Sequence, residues 1–280
     1  VGSEMCIRDR LSTIQPIKQP VMNNIFSPVS RRFTGSETLY GTSSFANIAR
    51  AHYYVIGTGG VGSWAVEALA RTGVGNICLI DMDIVSESNI NRQLPALDST
   101  LGDSKIAVMK ARVCDINPAC NVTLVDDFLT PDNVAKLLPT RDKCQALQAN
   151  GARVIVLDCV DDIRAKTAIA LHCRFHKIKL LSAGGAGGKL DPSQLSAADL
   201  KDVYQDPLLA KLRYNLRKMG INRDLEDKFF IKCVYSSEPP KTAKNCQSRL
   251  ACGGYGSAMT VTCTMAMLMV AESLKWLHVR

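Results

Sequence analysis

Residues 52–83 read HYYVIGTGGVGSWAVEALARTGVGNICLIDMD. A short apolar run enters a glycine turn, Gly57-Thr58-Gly59-Gly60-Val61-Gly62, and a stretch with helical spacing at Val61, Ala65, Ala68 and Leu69 follows. A second apolar run, NICLI, then ends in acid. This is strand, turn, helix, strand. A helical crossover between two buried strands predicts a parallel sheet. Glycines let the backbone turn tightly and approach a phosphate, and a helix start offers unpaired N–H groups and the positive end of its dipole. Gly57, Gly59, Gly60 and Gly62 are therefore expected at a nucleotide. The glycine spacing alone is a weak signal that dinucleotide dehydrogenases share, and its position between strand and helix gives it weight.

The pattern repeats outward from there. LGDSKIAVMKARVCDIN reads as a second helix stopped near Asn117-Pro118, and NVTLVDDF as a strand. TPDNVAKLL reads as a helix with Thr130 as its cap and Pro131 at its first position. Residues 141–151 are polar and read as a surface excursion. ARVIVLDCVDD, DIRAKTAIALHCRFHK and IKLLSAGGAG give strand, helix and a strand that ends in glycines. The fold expected is α/β, a doubly wound, mostly parallel, Rossmann-like sheet with a C-terminal elaboration. Past Gly188 the pattern mixes turns with one helix, then FFIKCVYSSEPP as a strand, the glycine-rich SRLACGGYGSA and a last helix. The division expected is a non-native or disordered leader at 1–21, a nucleotide-binding core at 22–188 and a substrate-side elaboration at 189–280. Met22 is the expected start, because VGSEMCIRDR lacks the apolar stretch of a secretory signal and resembles translated adaptor sequence.

Four constellations carry chemistry. The first is the glycine turn. The second is Asp81-Met-Asp83-Ile-Val-Ser-Glu-Ser-Asn89-Ile-Asn-Arg92-Gln93. A dehydrogenase places one acid here for a ribose, whereas this run has two acids followed by amides and an arginine. A guanidinium grips phosphate oxygens in a bidentate way, so the run suits a polyphosphate. The third is Gly102-Asp-Ser-Lys105, where a lysine at a helix start can reach β and γ phosphates or simply stand in solvent. The fourth is Asp158-Cys-Val-Asp161-Asp162-x-x-x-Lys166. An acid at a strand's carboxyl end faces the crevice where ligands bind. Asp161 can hold a magnesium ion on phosphates, cap the next helix, or both.

Taken together, G-x-G-G-x-G, D-x-D-x-V-x-x-S-N-x-x-R-Q, G-x-x-K and D-x-x-D resemble the ubiquitin-activating-enzyme-like (ThiF-like) superfamily, whose members adenylate carboxylates. The resemblance implies ATP as cosubstrate, with Asp83 at the ribose, Arg92 and Lys105 at the phosphates and Mg2+ at Asp161. Further stretches resemble one branch, the tRNA threonylcarbamoyladenosine dehydratases. They are Arg32-Phe33 with Leu39-Tyr40-Gly41, residues 67–73, 126–133, 184–188 with Asp191-Pro192, 205–212 and Cys233-Val-Tyr-Ser-Ser-Glu238. Cys233 reads as a core cysteine or as a functional one: that branch has a functionally important cysteine at its position, Lys228 and Lys232 are close in sequence to favour a thiolate, and Ser236, Ser237 and Glu238 follow as a polar patch suited to a substrate. The role is a transient thioester or shaping of the substrate pocket. The implied substrate is tRNA carrying threonylcarbamoyladenosine, activated as an acyl-adenylate and cyclised with loss of water. The resemblance also implies a homodimer in which an N-terminal arginine completes the neighbour's site. Thr38 replaces the family's second arginine here, with Arg31 or Arg32 as substitutes. A cysteine desulfurase or sulfur-acceptor partner is a further implied association. The alternative is an adenylyltransferase for a ubiquitin-like sulfur carrier. Many of those carry two C-x-x-C pairs for zinc, and no pair of the 11 cysteines here has that spacing.

Composition sets the outer limits. A formal net charge of +8 over 280 residues favours an acidic partner, nucleic acid first, although no Lys/Arg block concentrates it. Cysteines such as Cys78 and Cys159 lie in apolar runs, as core residues in a reducing compartment do, and the location expected is cytoplasmic. Residues 258–277 form the most apolar run. Its threonines, Glu272 and Lys275 favour a buried helix over membrane association.

Overall fold

The computed structural model describes residues 31–222, 224, 227–241 and 256–279. The expected leader, and most of the glycine-rich turn before the last helix, lie outside these. Two short helices, α1 (Thr34–Tyr40) and α2 (Thr42–Arg50), lead into β1 (His52–Ile56). The chain continues through α3 (Gly62–Thr72), β2 (Asn76–Ile80), α4 (Lys105–Ile116), β3 (Asn121–Val125), α5 (Val134–Leu137) and α6 (Arg141–Ala149). Then follow β4 (Val154–Asp158), α7 (Ile163–Phe175), β5 (Lys179–Ala183), β6 (Leu195–Asp199), α8 (Pro207–Lys218), β7 (Lys232–Ser236) and α9 (Met259–Leu274).

Seven strands form one sheet in the order β3-β2-β1-β4-β5-β7-β6. Only β6 runs antiparallel, against β7. The chain winds outward from β1 through β2 to β3, then crosses to β4 on the other side of β1. The order therefore reverses between β1 and β4, where open α/β sheets bind ligands beyond the strand ends.

Both faces of the sheet are covered, which explains the near-continuous apolar strands. One core joins Ala65, Val66 and Leu69 of α3 to Val261, Met265, Met269 and Leu274 of α9 over Tyr53, Val55 and Leu79. The other packs Ile169 and Cys173 of α7 and Leu209, Leu212 and Leu216 of α8 against Val156, Leu180 and Cys233. The apolar C-terminal run is thus a buried helix, its Ser273 hydroxyl bonded to the Tyr53 hydroxyl at 2.9 Å. Among the described residues no helix is long and apolar enough to cross a membrane.

Three local expectations change. The helix expected from Thr130 begins only at Val134, because the Asn133 carboxamide turns back to accept the Thr130 N–H at 2.7 Å and to donate to the Phe128 carbonyl at 2.8 Å. That side-chain turn occupies the residues that would otherwise form the first helical turn. The polar excursion at 141–151 contains a helix, α6, with the Thr140 hydroxyl accepting from the Lys143 N–H. No residue of α6 is fully buried, so it carries little apolar periodicity. The stretch after Gly188 also contains β6, an edge strand whose small and polar residues, LSAAD, hide its character.

Candidate active site

The cleft at the reversal point has a volume of about 1110 Å³. Its floor is the glycine turn. Gly57 adopts φ +82°, and a Cβ there would press on the Cys159 backbone at 3.3 Å, where the loop after β4 crosses. Gly62 does not line the cleft. A Cβ on it would stand 1.8 Å from the Gly57 carbonyl oxygen, so its hydrogen is what lets the turn close. Asp81, at the end of β2, accepts the Thr58 N–H at 2.6 Å, the Thr58 hydroxyl at 2.8 Å and the Asp83 N–H at 2.9 Å. It therefore shapes the turn and aims Asp83.

Asp83, half exposed at the mouth, accepts from the Lys105 ammonium at 2.8 Å. Residues 83–85 and 102–105 zip together through backbone bonds, including Lys105 N–H to Asp83 C=O at 3.1 Å and Val85 N–H to Asp103 C=O at 2.8 Å. Lys105 is 4% exposed, so it is not a solvated helix-start lysine. Its charge is held inside the cleft by an acid that itself reaches solvent.

Arg92 lies against the turn, with the Trp64 indole donating to its carbonyl at 3.0 Å and its guanidinium donating to the Ser88 carbonyl and the Asn91 carboxamide, each at 2.9 Å. Asn89 is buried and organises this short helical turn, its carboxamide accepting the Ser86 N–H and its carbonyl receiving the Arg92 and Gln93 N–H groups. Gln93 is also buried, and its amide oxygen has no hydrogen-bond partner among the described residues. A buried acceptor at a cleft wall suits a ligand donor, because leaving it unpaired costs about 1–3 kcal/mol.

Across the cleft, Asp161 lies exposed in the loop after β4. The helix cap considered for it belongs to its neighbour: the Asp162 carboxylate receives the Arg164 and Ala165 N–H groups at 3.0 and 2.8 Å. Asp158 points inward instead. Its carboxylate meets the Lys166 ammonium at 2.8 Å and the Ser182 hydroxyl at 2.7 Å, with both charged side chains buried.

The structure places Cys233 away from the cleft. Its thiol is fully buried, faces the α7/α8 core and does not line the cleft. Burial pushes it well above the ordinary thiol range. Lys232, expected to favour a thiolate, is engaged with Glu272 on α9 at 3.2 Å. Successive strand residues face opposite sides of the sheet, so a neighbour in sequence is not a neighbour of the thiol.

The far wall is braced by Glu238, expected in a polar patch suited to a substrate, and by Lys189 and Asp206, to which the sequence assigned no role. Lys189 lines the cleft, is 2% exposed and donates to the Gln205 carbonyl at 3.2 Å and to the Glu238 carbonyl. Asp206 accepts the Gly185 and Leu209 N–H groups, each at 2.9 Å, and burial raises its carboxyl above the usual range. A Cβ on Gly184 would fall 2.2 Å from an Asp206 oxygen, which explains the glycine at that position. For Lys189 and Asp206 the only sequence signal was that they fall in or beside stretches resembling the dehydratase branch.

The sequence profile of the ThiF family matches residues 36–280. The chain belongs to the ThiF family. It is 42% identical over 259 residues to the tRNA threonylcarbamoyladenosine dehydratase of Escherichia coli K12, covering 88% of this chain and 92% of that protein. A crystal structure of the E. coli tRNA N6-threonylcarbamoyladenosine dehydratase in complex with ATP matches with a TM-score of 0.77 at 41% identity, covering 90% of this chain and 97% of that one. Similarity to the molybdopterin-synthase adenylyltransferase of Haemophilus influenzae is narrower: 33% identity over 165 residues, 56% of this chain and 62% of that protein.

Proposed function

We propose that this ThiF family protein is an ATP-dependent enzyme that dehydrates threonylcarbamoyladenosine in tRNA through an acyl-adenylate. The carrying observation is the cleft between β1 and β4, where a glycine turn, Asp83 with Lys105, Arg92 and Asp161 converge. The likeness to named dehydratases over most of the chain, with a solved relative in complex with ATP, supports the substrate class. The sulfur-carrier adenylyltransferase is the weaker reading, because its likeness covers little more than half of the chain.

In this reading the glycine turn and the start of α3 receive phosphates, and Asp83 and Gln93 receive the nucleoside. The threonyl carboxylate attacks the α-phosphorus and pyrophosphate leaves. Arg92 and Lys105 meet the negative charge developing on the phosphates, from positions fixed before reaction. The neighbouring carbamoyl group then attacks the activated carbonyl, a ring of five members closes, and AMP departs. Closure within one molecule is fast once the carboxyl carries a good leaving group. Asp161, with no capping duty, would hold Mg2+, which supplies charge neutralisation at the phosphates. Residues 189–280 form the substrate side through the Lys189 wall and α8.

The test is AMP release from ATP with modified tRNA, unmodified tRNA or a ubiquitin-like sulfur carrier offered separately. Release with modified tRNA alone is expected. Release only with the carrier protein would replace this reading with the adenylyltransferase.

A further inference from the structure

Helix α8 starts at the cleft, with Pro207 and Leu208 in its wall. Its inner face buries Leu209, Leu212 and Leu216. Pro207, Lys211, Tyr214 and Lys218 recur at spacings of four, three and four, so they form one stripe, and all four are exposed. Twelve residues of helix reach about 18 Å from the cleft mouth. The helix, PLLAKLRYNLRK, has four cations and no acid. Two of those cations serve the fold: Arg213 donates to the Leu200 and Val203 carbonyls at 2.9 and 2.8 Å, and Arg217 lies over the Phe229 ring at 5.6 Å. Lys211 and Lys218 remain on the outer stripe, on either side of Tyr214.

Tyr214 is 57% exposed, and the Lys211 ammonium sits 4.8 Å over its ring. Tyr204, just before the helix, is 58% exposed and braced edge-on by Tyr235 at 5.6 Å. Two aromatic rings are thus held on the protein with large open areas. A solvated helix face explains Lys218, since a cation suits the last turn. It leaves over a stripe that carries cations and open rings side by side and no acid. Cations interleaved with braced aromatic rings fit a polynucleotide, with phosphates on the ammonium groups and unstacked bases on the rings.

We propose that the Lys211–Tyr214–Lys218 stripe of α8, with Tyr204, is the surface along which the RNA strand is guided into the cleft. The assignment rests on the dehydratase reading above. Its test compares Lys211→Ala/Lys218→Ala and Tyr214→Ala with wild type, measuring binding of modified tRNA across a salt series and ATP affinity in parallel. The lysine pair should weaken tRNA binding and lower the slope of log K against log salt by about one per lysine. Tyr214→Ala should weaken binding about fivefold or more with the slope retained. ATP affinity should not move in either variant. Unchanged tRNA affinity and slope in both variants, with wild type active, would overturn the α8 assignment alone. Unchanged tRNA affinity with lost binding of a poly-glutamate probe would overturn it in favour of an acidic protein. A wild type that releases no AMP with modified tRNA would instead fail the underlying function.

Discussion

Lys105 shows how burial sets a lysine apart from an ordinary surface one. Its ammonium is inside the cleft, paired with Asp83 at 2.8 Å, and the backbone ladder between 83–85 and 102–105 fixes both. A charge that need not reorganise stabilises a transition state more than one that must be recruited. Lys105→Ala is expected to slow pyrophosphate release about 10²- to 10³-fold. A rate within a few-fold of wild type would reduce Lys105 to a structural partner of Asp83. Cys233 is the opposite case. Its thiol is sealed in the core and held protonated by burial. Cys233→Ser should leave AMP formation and ring closure near wild type while costing about 1–3 kcal/mol in denaturant melts, since a buried hydroxyl must find a partner. Lost cyclisation with intact adenylation and unchanged stability would return the residue to the chemistry.

Between elements, Glu67 ties α3 to α4. It accepts from Arg112 Nε at 2.6 Å and Nη2 at 3.0 Å, and from Arg71 at 2.7 Å one turn along α3. Burial acts to raise its carboxyl, but the bonds to Arg112 and Arg71 outweigh that and hold it below the ordinary range. A carboxyl lowered in the folded state contributes stability above its unfolded pKa, about 4.3, and loses it as pH falls through the lower folded value. Glu67→Gln should therefore destabilise the protein near neutrality by about 1–3 kcal/mol and flatten stability against pH below about 4.3. Parallel acid melts of wild type and variant at a series of pH values would check this. Identical curves would mean that the pair contributes nothing net.

At the scale of the molecule, the cleft lies between the β1–β3 half of the sheet and the β4–β7 half, so a bound nucleotide contacts both. Ligand bound only by the folded state stabilises by about 2.7 kcal/mol at one hundred times its Kd. ATP should raise the melting temperature of wild type, and much less that of Asp83→Ala. Equal shifts would remove Asp83 from the nucleotide contacts. The proposed homodimer also belongs here. Arg32 donates to the Asp115 and Ile116 carbonyls at the end of α4, whereas Arg31 is exposed, so the trans contact is tested at Arg31. Light scattering should give twice the chain mass, and Arg31→Ala should lower activity without changing that mass. A fully active monomer would refute the trans contact.

The winding of the sheet is legible in local pattern. Four buried apolar runs and the half-exposed NVTLV run, joined by amphipathic stretches, admit little but a parallel sheet, and the turn from Gly57 to Gly62 marks where its cleft opens. The residues of the cleft floor were legible because turns, caps and strand ends act over a few positions. The rest is set by contacts at longer range. That Lys105 is buried on Asp83, 22 residues away, that Asp158 is neutralised by Lys166, 8 residues away, and that Cys233 faces a core shared with α7 depend on elements apart in sequence. The β6 edge strand and the Lys189 wall were silent for the same reason. A half-covered edge needs no apolar alternation, and a buried lysine declares itself only through the carbonyls that surround it.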